Sequence, residues 1–178
     1  TQRGLQLLRT AVASAPPAVL LPELRNDYTA LFIGLEQVYA PPWESVYLSR
    51  DHLLFDEQTL AVRDSYAQFG LQIPNIDREP DDHIGFELLF LSHLLQQAAQ
   101  ALENSDASGA ELCLAAAGQF LVAHPQQWAQ LLVERIDQYA RTNYYRGLGY
   151  LLLGSLEALS TRLGDALPAG QPAAEARA

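Results

Sequence analysis

The sequence lacks several residue types that would define particular classes of protein. Cys113 is its one cysteine, so neither a disulfide framework nor a cysteine-based zinc site can be built within one chain. Lysine and methionine are absent, and 11 arginines face 21 acidic residues, which gives a net charge of −10. This balance argues against nucleic acid as a partner, because its phosphates require clustered basic side chains.

Long apolar runs and common catalytic motifs are also missing. No apolar run approaches the roughly 20 residues that a membrane-spanning helix needs, and the first residues do not have the pattern of a secretory signal. We therefore predict no stable membrane insertion and a cytoplasmic location. The chain has no Walker-type phosphate loop, no His-Glu-x-x-His element and no Gly-x-Ser-x-Gly element, so we expect neither an enzyme nor a cofactor.

Apolar residues recur at helical spacing along almost the whole chain, and no stretch alternates as a strand would. We predict an all-α, single-domain helical bundle over residues 1–163, with short loops, one longer connector near residues 70–80 and a weakly structured tail at 164–178. The predicted helices are near 2–14, from Pro22 to about 35, from a cap at Asp56 to about 69, 80–103, 110–123, 126–140 and from a cap at Thr142 onward. The helix that begins at Pro80 is expected to be the longest and to lie in the core.

Two segments do not fit this regular pattern. Glu79-Pro80-Asp81-Asp82-His83 places three carboxylates and an imidazole around a proline suited to the first turn of a helix. Residues 77–87 contain five acids and one base, a local charge of −4. The second segment, residues 39–48, carries aromatic side chains around a diproline. Together they predict a site for a cationic, partly apolar peptide.

Three motifs carry a family resemblance. They are Tyr28-x-x-Leu31-Phe32-x-Gly34, Pro41-Pro42-Trp43-x-Ser45-Val46-Tyr47-Leu48 and Glu79-Pro80-x-Asp82-His83-Ile84-Gly85. His124, Trp128 and Tyr145-Arg146-x-Leu148 match further landmarks. In these residues the chain resembles the TorD/DmsD family of redox-enzyme maturation chaperones. The sequence of its Pro-Pro-Trp motif is nearest to that of the DmsD branch.

The resemblance implies a function. Members of this family are all-helical, cytoplasmic, non-catalytic proteins that bind the twin-arginine signal peptide and the cofactor-free form of a molybdenum-containing oxidoreductase. A reductase of the dimethyl sulfoxide type is the client that the resemblance suggests, and binding would delay export until the cofactor is inserted. The family normally has more helical sequence ahead of its first motif, so we also expect one or two helices before Thr1.

Ten residues form the predicted peptide-binding site: Tyr39, Pro42, Trp43, Ser45, Tyr47, Leu48, Glu79, Pro80, Asp82 and His83. In this hypothesis Glu79 and Asp82 face the paired arginines of the ligand, because a carboxylate accepts two N–H groups from one guanidinium. The aromatic residues line a groove for the apolar part of the peptide and contribute most of the affinity.

Other interpretations stay open at this level. Asp82 can instead cap a helix, and Trp43 can fill the core. Asp82, His83 and Glu87 can be drawn as the site of a metal-dependent hydrolase, although the motif is poor. The chain can also be a helical scaffold without signal-peptide binding, and either a monomer or a dimer that exchanges helices through the connector is possible.

Overall fold

The computed structural model describes residues 1–34, 37–49, 54, 56–74 and 79–166, and most of these are helical. In chain order the helices are α1 (Gln2–Ala13), α2 (Pro17–Tyr28), α3 (Glu44–Leu48), α4 (Glu57–Ala67), α5 (Ile84–Glu103), α6 (Ala107–Ala123), α7 (Pro125–Tyr139) and α8 (Asn143–Ala166). A π-helical turn, Thr29–Ile33, continues α2. The predicted all-α fold class is confirmed. Among the described residues, no helix is both long and apolar enough to cross a bilayer.

Most helix ends lie near their predicted positions, but the start of α2 does not. Asp56 caps α4 as predicted, since its carboxylate accepts the Glu57 N–H at 2.9 Å. In α2, by contrast, Pro17 and not Pro22 occupies the first turn, and Pro22 lies inside the helix. Either proline can begin a helix because the first turn needs no N–H donor there, so sequence alone does not distinguish them.

The prediction that a helix begins at Pro80 is wrong. Helix α5 begins at Ile84 with His83 as its N-cap, and Pro80 lies in the turn ahead of it. It is also not the longest helix, because α5 has 20 residues and α8 has 24. Helix α8 continues to Ala166, three residues past the predicted end of the domain, and residues 167–178 lie outside the described part of the chain.

The larger hydrophobic core lies between α4, α5, α6 and α8. Its centre is a group of three aromatic rings, Tyr66, Phe90 and Phe120, with centroids 4.8 Å apart from Tyr66 to Phe90 and from Phe90 to Phe120. Leu156 and Leu163 of α8 close this core from the other side. Each of these residues is at least 95 % buried, so the core fixes α5 relative to α4 and α8.

A second, smaller core surrounds Trp128 of α7. The indole is fully buried and packs with Leu31 of the π-helical turn and with Leu132 and Ile136 from its own helix. This cluster holds α7 against the segment that precedes α3. Leu152 of α8 packs against both cores.

Helices α1 and α8 approach each other closely through two glycines. A Cβ atom placed on Gly4 would lie 2.7 Å from the Gly147 carbonyl oxygen, and one on Gly147 would lie 2.9 Å from the Gly4 carbonyl oxygen. Such distances are too short for a side chain, so glycine is required on both helices.

Some apolar residues on the helices are exposed. Leu60, Leu88 and Leu148 are 53 %, 37 % and 39 % exposed, because each lies at the edge of the buried stripe of its helix. In the connector, Ile73 is buried and Leu71 packs on the larger core. The predicted end of the second helix at about residue 35 and residues 75–78 of the predicted connector lie outside the described ranges.

Candidate functional site

The two unusual segments of the sequence pair with each other in space. The Ile84 N–H donates to the Pro42 carbonyl oxygen at 2.9 Å, and the Glu44 N–H donates to the Asp82 carbonyl oxygen at 3.0 Å. These bonds flank an antiparallel bridge between Trp43 and His83, the one isolated bridge among the described residues. Proline favours extended backbone in itself and in the residue before it, which keeps the Pro41-Pro42 segment straight enough to pair.

Asp82 lies inside this junction. Its side chain is fully buried, and its two oxygens accept the Ser45 N–H at 2.7 Å and the Thr59 hydroxyl at 2.9 Å. The carboxylate therefore satisfies an otherwise unpaired N–H in the first turn of α3 and joins α3 to α4. The prediction that Asp82 faces an incoming guanidinium is wrong for this structure, because both oxygens are turned inward and already bonded.

Asp81 is also buried, and it is paired with Arg63, a residue outside the predicted site. Arg63 of α4 donates from Nε and Nη2 to Asp81 Oδ2 at 3.0 and 2.8 Å. The Tyr66 hydroxyl donates to the Asp81 carbonyl oxygen at 3.0 Å. Arg63 thus neutralises one acid of the acidic run and fixes the turn against α4.

Two further carboxylates lie beneath the junction. Glu44 and Glu87 are 2 % and 0 % exposed, and the two side chains form a hydrogen bond with each other. The Trp128 N–H lies 3.2 Å from both Glu87 oxygens, and His124 Nδ1 lies 3.0 Å from Glu44 Oε2. Burial, followed by the neighbouring charge of Glu44, raises the pKa of Glu87 well above its usual value.

His83 has a structural role at the start of α5. Its Nδ1 accepts the Gly85 N–H at 2.9 Å, which requires that nitrogen to be unprotonated. Burial lowers the pKa of His83 from 6.5, although the charges of Glu79 and Asp82 oppose this shift. The imidazole therefore acts as a helix cap in its neutral form.

We expect the lowered pKa of His83 to make the protein less stable in acid. Above pH 6.5 the ring is neutral in both the folded and the unfolded state, so its contribution is complete. As the pH falls below 6.5 the unfolded state takes up the proton first, and the free energy of unfolding decreases until the lowered pKa is passed. His83→Asn keeps a capping side chain but has no group that titrates in this range. In urea denaturation at several pH values, its free energy of unfolding should therefore decrease less steeply with falling pH than that of the unmodified protein. The same dependence of the unfolding free energy on pH in both proteins would contradict the assignment of His83 as the titrating group.

At the surface, one row of aromatic side chains leads to a cleft. Trp43 is half-buried and lies edge-on to His83, and His83 in turn contacts Phe86, with 5.7 Å between the ring centroids in each pair. Phe86 also lines an apolar cleft of about 400 Å³ between α5 and the connector. Its lining includes Leu71, Ile73, Pro74, Leu89, Phe90 and His93. Glu79 is exposed and its charge acts on His83, so an exposed carboxylate lies near the middle ring of this row.

The other predicted aromatic residues lie toward α7. Tyr47 stacks on Trp128 with centroids 5.4 Å apart, and the Arg135 guanidinium carbon lies 5.5 Å from the Tyr47 ring centre. Tyr39 stacks on Tyr139 at 4.8 Å. A second cavity of about 520 Å³ borders Tyr47 and Arg135. The aromatic residues predicted for one groove are thus divided between the Trp43 row and the α7 face.

The remaining predicted residues are divided between the interior and the surface. Pro42, Ser45 and Pro80 are buried, and Leu48 is 36 % exposed. Thr59 and Arg63 form much of the junction, and neither is among the ten predicted site residues. A signal was present, because Thr59, Arg63 and Tyr66 fall on one side of α4 at helical spacing.

The alternative of a metal-dependent hydrolase is not supported by this geometry. Asp82 is bonded to Ser45 and Thr59. His83 accepts the Gly85 N–H, and Glu87 accepts the Trp128 N–H. In the ranges that the structure describes, no group of three or more His, Cys, Asp or Glu side chains is arranged to hold a metal ion. These side chains are used to build the turn.

Comparison with known proteins adds a family to this geometry. Residues 1–134 match the protein family described as nitrate reductase delta subunit. The chain is 32 % identical over 146 residues to the Tat proofreading chaperone DmsD of Salmonella paratyphi A, covering 79 % of this chain and 65 % of that protein. It is 28 % identical over 134 residues to the probable Tat proofreading chaperone DmsD of Haemophilus influenzae, covering 75 % and 59 %. It is also 28 % identical over 135 residues to the chaperone protein TorD of Vibrio cholerae, covering 76 % and 60 %. The chain therefore spans less than two thirds of the length of these relatives.

Proposed function

Because this chain belongs to the nitrate reductase delta subunit family, the TorD/DmsD family predicted from its motifs, we propose that it is a maturation chaperone. We propose that it binds the twin-arginine signal peptide and the cofactor-free form of a molybdenum-containing oxidoreductase of the dimethyl sulfoxide reductase type in the cytoplasm. Binding would delay export until the client has matured. Its relatives are named chaperones, which agrees with the prediction that the chain is not an enzyme.

The observation that carries this proposal is an exposed carboxylate next to an aromatic row and an apolar cleft. Glu79 lies close to His83, and the row Trp43, His83 and Phe86 leads into the cleft. An arginine side chain fits a carboxylate through two parallel hydrogen bonds, which gives the ligand its orientation. An exposed pair of this kind contributes only about 0–1 kcal/mol, so it selects the ligand more than it holds it.

The cleft supplies the apolar contact that affinity requires. Its walls are mainly apolar, and Leu89 at its edge is 66 % exposed, so surface is available for burial by a ligand. Burying one large apolar side chain is worth roughly 1.5–3 kcal/mol, more than an exposed ion pair. A peptide with arginines followed by an apolar stretch would therefore place the arginines at Glu79 and the apolar stretch in the cleft.

The charge of the whole chain favours the same partner. A net charge of −10 attracts cationic peptides over long range and increases the rate of encounter. Salt screens this attraction over roughly 10 Å at 0.1 M ionic strength. The association rate should therefore fall as salt is added, while the apolar contacts are less affected.

Calorimetric titration with a twin-arginine signal peptide tests the proposal. We expect the peptide to bind, and a counterpart with two lysines to bind roughly fivefold more weakly, because an ammonium group cannot form the paired bonds of a guanidinium. Leu89→Asp should weaken binding by roughly tenfold, since it places a charge at the edge of the cleft.

Leu112 provides a matched control for this experiment. It is also 66 % exposed, but it lies on α6 and does not line the cleft, so Leu112→Asp should leave the affinity unchanged. Equal effects of the two substitutions would exclude the cleft as the binding surface. Absence of binding to either peptide would instead favour the helical scaffold.

A further inference from the structure

The junction of the two site segments lies above a connected group of four buried side chains. Glu44 belongs to α3, Glu87 to α5 and Trp128 to α7, and His124 lies between α6 and α7. His124 Nδ1 is 3.0 and 3.3 Å from the two oxygens of Glu44, and the Trp128 N–H is 3.2 Å from both oxygens of Glu87. The group therefore links three helices and the α6–α7 junction directly beneath the bridge between Trp43 and His83.

Two carboxylates at this depth cannot both carry a charge without a large cost. Glu44 has a partner on each side, since His124 Nδ1 lies 3.0 Å from its Oε2 and Glu87 is bonded to it on the other side. Glu87 has only the indole N–H as a donor among the contacts described, and it is fully buried. When like charges share a low-dielectric site, one group retains its proton. The arrangement assigns that proton to Glu87, because among the described residues the His124 imidazole contacts Glu44 and not Glu87.

We propose that Glu87 holds a proton at neutral pH and donates it to Glu44, and that this shared proton positions α3 and the Pro42–Glu44 segment against α5. Loss of the proton would place two repelling carboxylates beneath the junction and loosen it. The consequence for peptide binding rests on the proposed function, but the protonation itself does not.

The groups that face this pair from each neighbouring element favour the neutral acid. Asp82 in the turn before α5 is an anion, and its charge opposes ionisation of Glu87. Tyr66 of α4 donates its hydroxyl to the Asp81 carbonyl oxygen, and Arg63 of the same helix is bonded to the Asp81 carboxylate. His124 faces Glu44 from the α6–α7 junction. Arg63 and His124 thus contact Asp81 and Glu44, and neither of them contacts Glu87.

The pH dependence of folding gives the first test. Glu87 binds its proton more tightly in the folded state than in the unfolded state, where the pKa is near 4.5. Above that pH the folding equilibrium constant should fall by up to about tenfold per pH unit, until the folded protein also loses the proton. Glu87→Gln keeps a donor toward Glu44 and has no proton to lose, so it should remove this decrease. Glu103→Gln, an exposed change near the end of the same helix, should not remove it.

Infrared spectroscopy gives the second test on the unmodified chain, which remains informative if Glu87→Gln does not fold. The folded protein at about pH 7 should show the carbonyl band of a protonated carboxyl group. This pH is far above the pKa of an ordinary glutamate, so the band would have to come from a carboxyl group that keeps its proton. Glu87→Gln should lose the band and Glu103→Gln should keep it. Absence of the band in the unmodified protein would overturn the proposal, as would the same loss of stability with pH in Glu87→Gln.

Peptide titration on the same proteins separates this inference from the proposed function. The affinity of the unmodified protein should decrease at alkaline pH by at least severalfold relative to Glu87→Gln. If the band is present and no peptide binds at any pH, the proposed function fails while the shared proton stands. If peptide binds with the same pH dependence in both proteins, the positioning role of the proton is refuted.

Discussion

Replacing Asp82 by alanine should lower the free energy of unfolding by about 3 kcal/mol. The substitution leaves the Ser45 N–H and the Thr59 hydroxyl buried without their acceptor, and hydrogen bonds to a charged group are worth about 1.5–3 kcal/mol each. The effect should be seen in the midpoint of urea denaturation with no change in its slope. Peptide affinity at a temperature where the variant stays folded should change less than stability does.

Glu79 is the matched control for Asp82, because it is an acid of the same motif that lies at the surface. Glu79→Ala should change stability by no more than about 0.5 kcal/mol, as exposed substitutions usually do. It should instead reduce the preference for arginine over lysine in the peptide. A comparable loss of stability in both variants would mean that the motif does not divide into a buried and an exposed acid.

Trp128→Ala should have the largest effect of the substitutions considered, a loss of about 3–5 kcal/mol. The indole is fully buried, stacks on Tyr47 and donates to Glu87, so its removal leaves both a cavity and a buried acid without its indole donor. Thermal and urea denaturation measure the loss. A smaller loss for Trp128→Phe would separate the cavity from the hydrogen bond, since the phenyl ring fills most of the space.

Trp43 provides the comparison for Trp128. It is half-buried at the start of the aromatic row, so Trp43→Ala should cost about 1–2 kcal/mol of stability. Its larger effect is expected on the affinity for the signal peptide. If Trp43→Ala destabilised the protein as much as Trp128→Ala, Trp43 would be assigned to the core and not to the site.

The sequence predicts the fold well where local physical chemistry decides the structure. Helical spacing and the family motifs gave the all-α class, and Asp56 was identified as a cap from its position alone. Helix α5 shows the limit of such reasoning. Pro80 is suited to begin a helix, but the bonds between Pro42 and Ile84 and between Glu44 and Asp82 draw residues 80–83 into a paired turn. These partners are about 40 positions away, so no local pattern reveals them.

Long-range partners also decide which parts of the site are predictable from the sequence. Composition identifies the acidic run. The sequence also predicts that this run and the diproline segment form one site, and in the structure the two segments pair with each other. The direction of each carboxylate depends on donors such as Thr59 and Arg63, which belong to another helix. Asp82 was therefore assigned to the surface although it is buried, while the assignment of Glu79 as a ligand-facing acid stays a prediction.

The pairing of residues 42–44 with 82–84 also bears on how the chain reaches its final form. This contact closes a loop of about 40 residues, and the entropy lost in closing such a loop must be recovered by contacts that form only when the ends meet. Helices α5 and α6, which are neighbours in sequence, can associate earlier at lower cost. Competence to bind a ligand should consequently arise late in folding, so that a chain only partly folded as it leaves the ribosome would not yet engage a client.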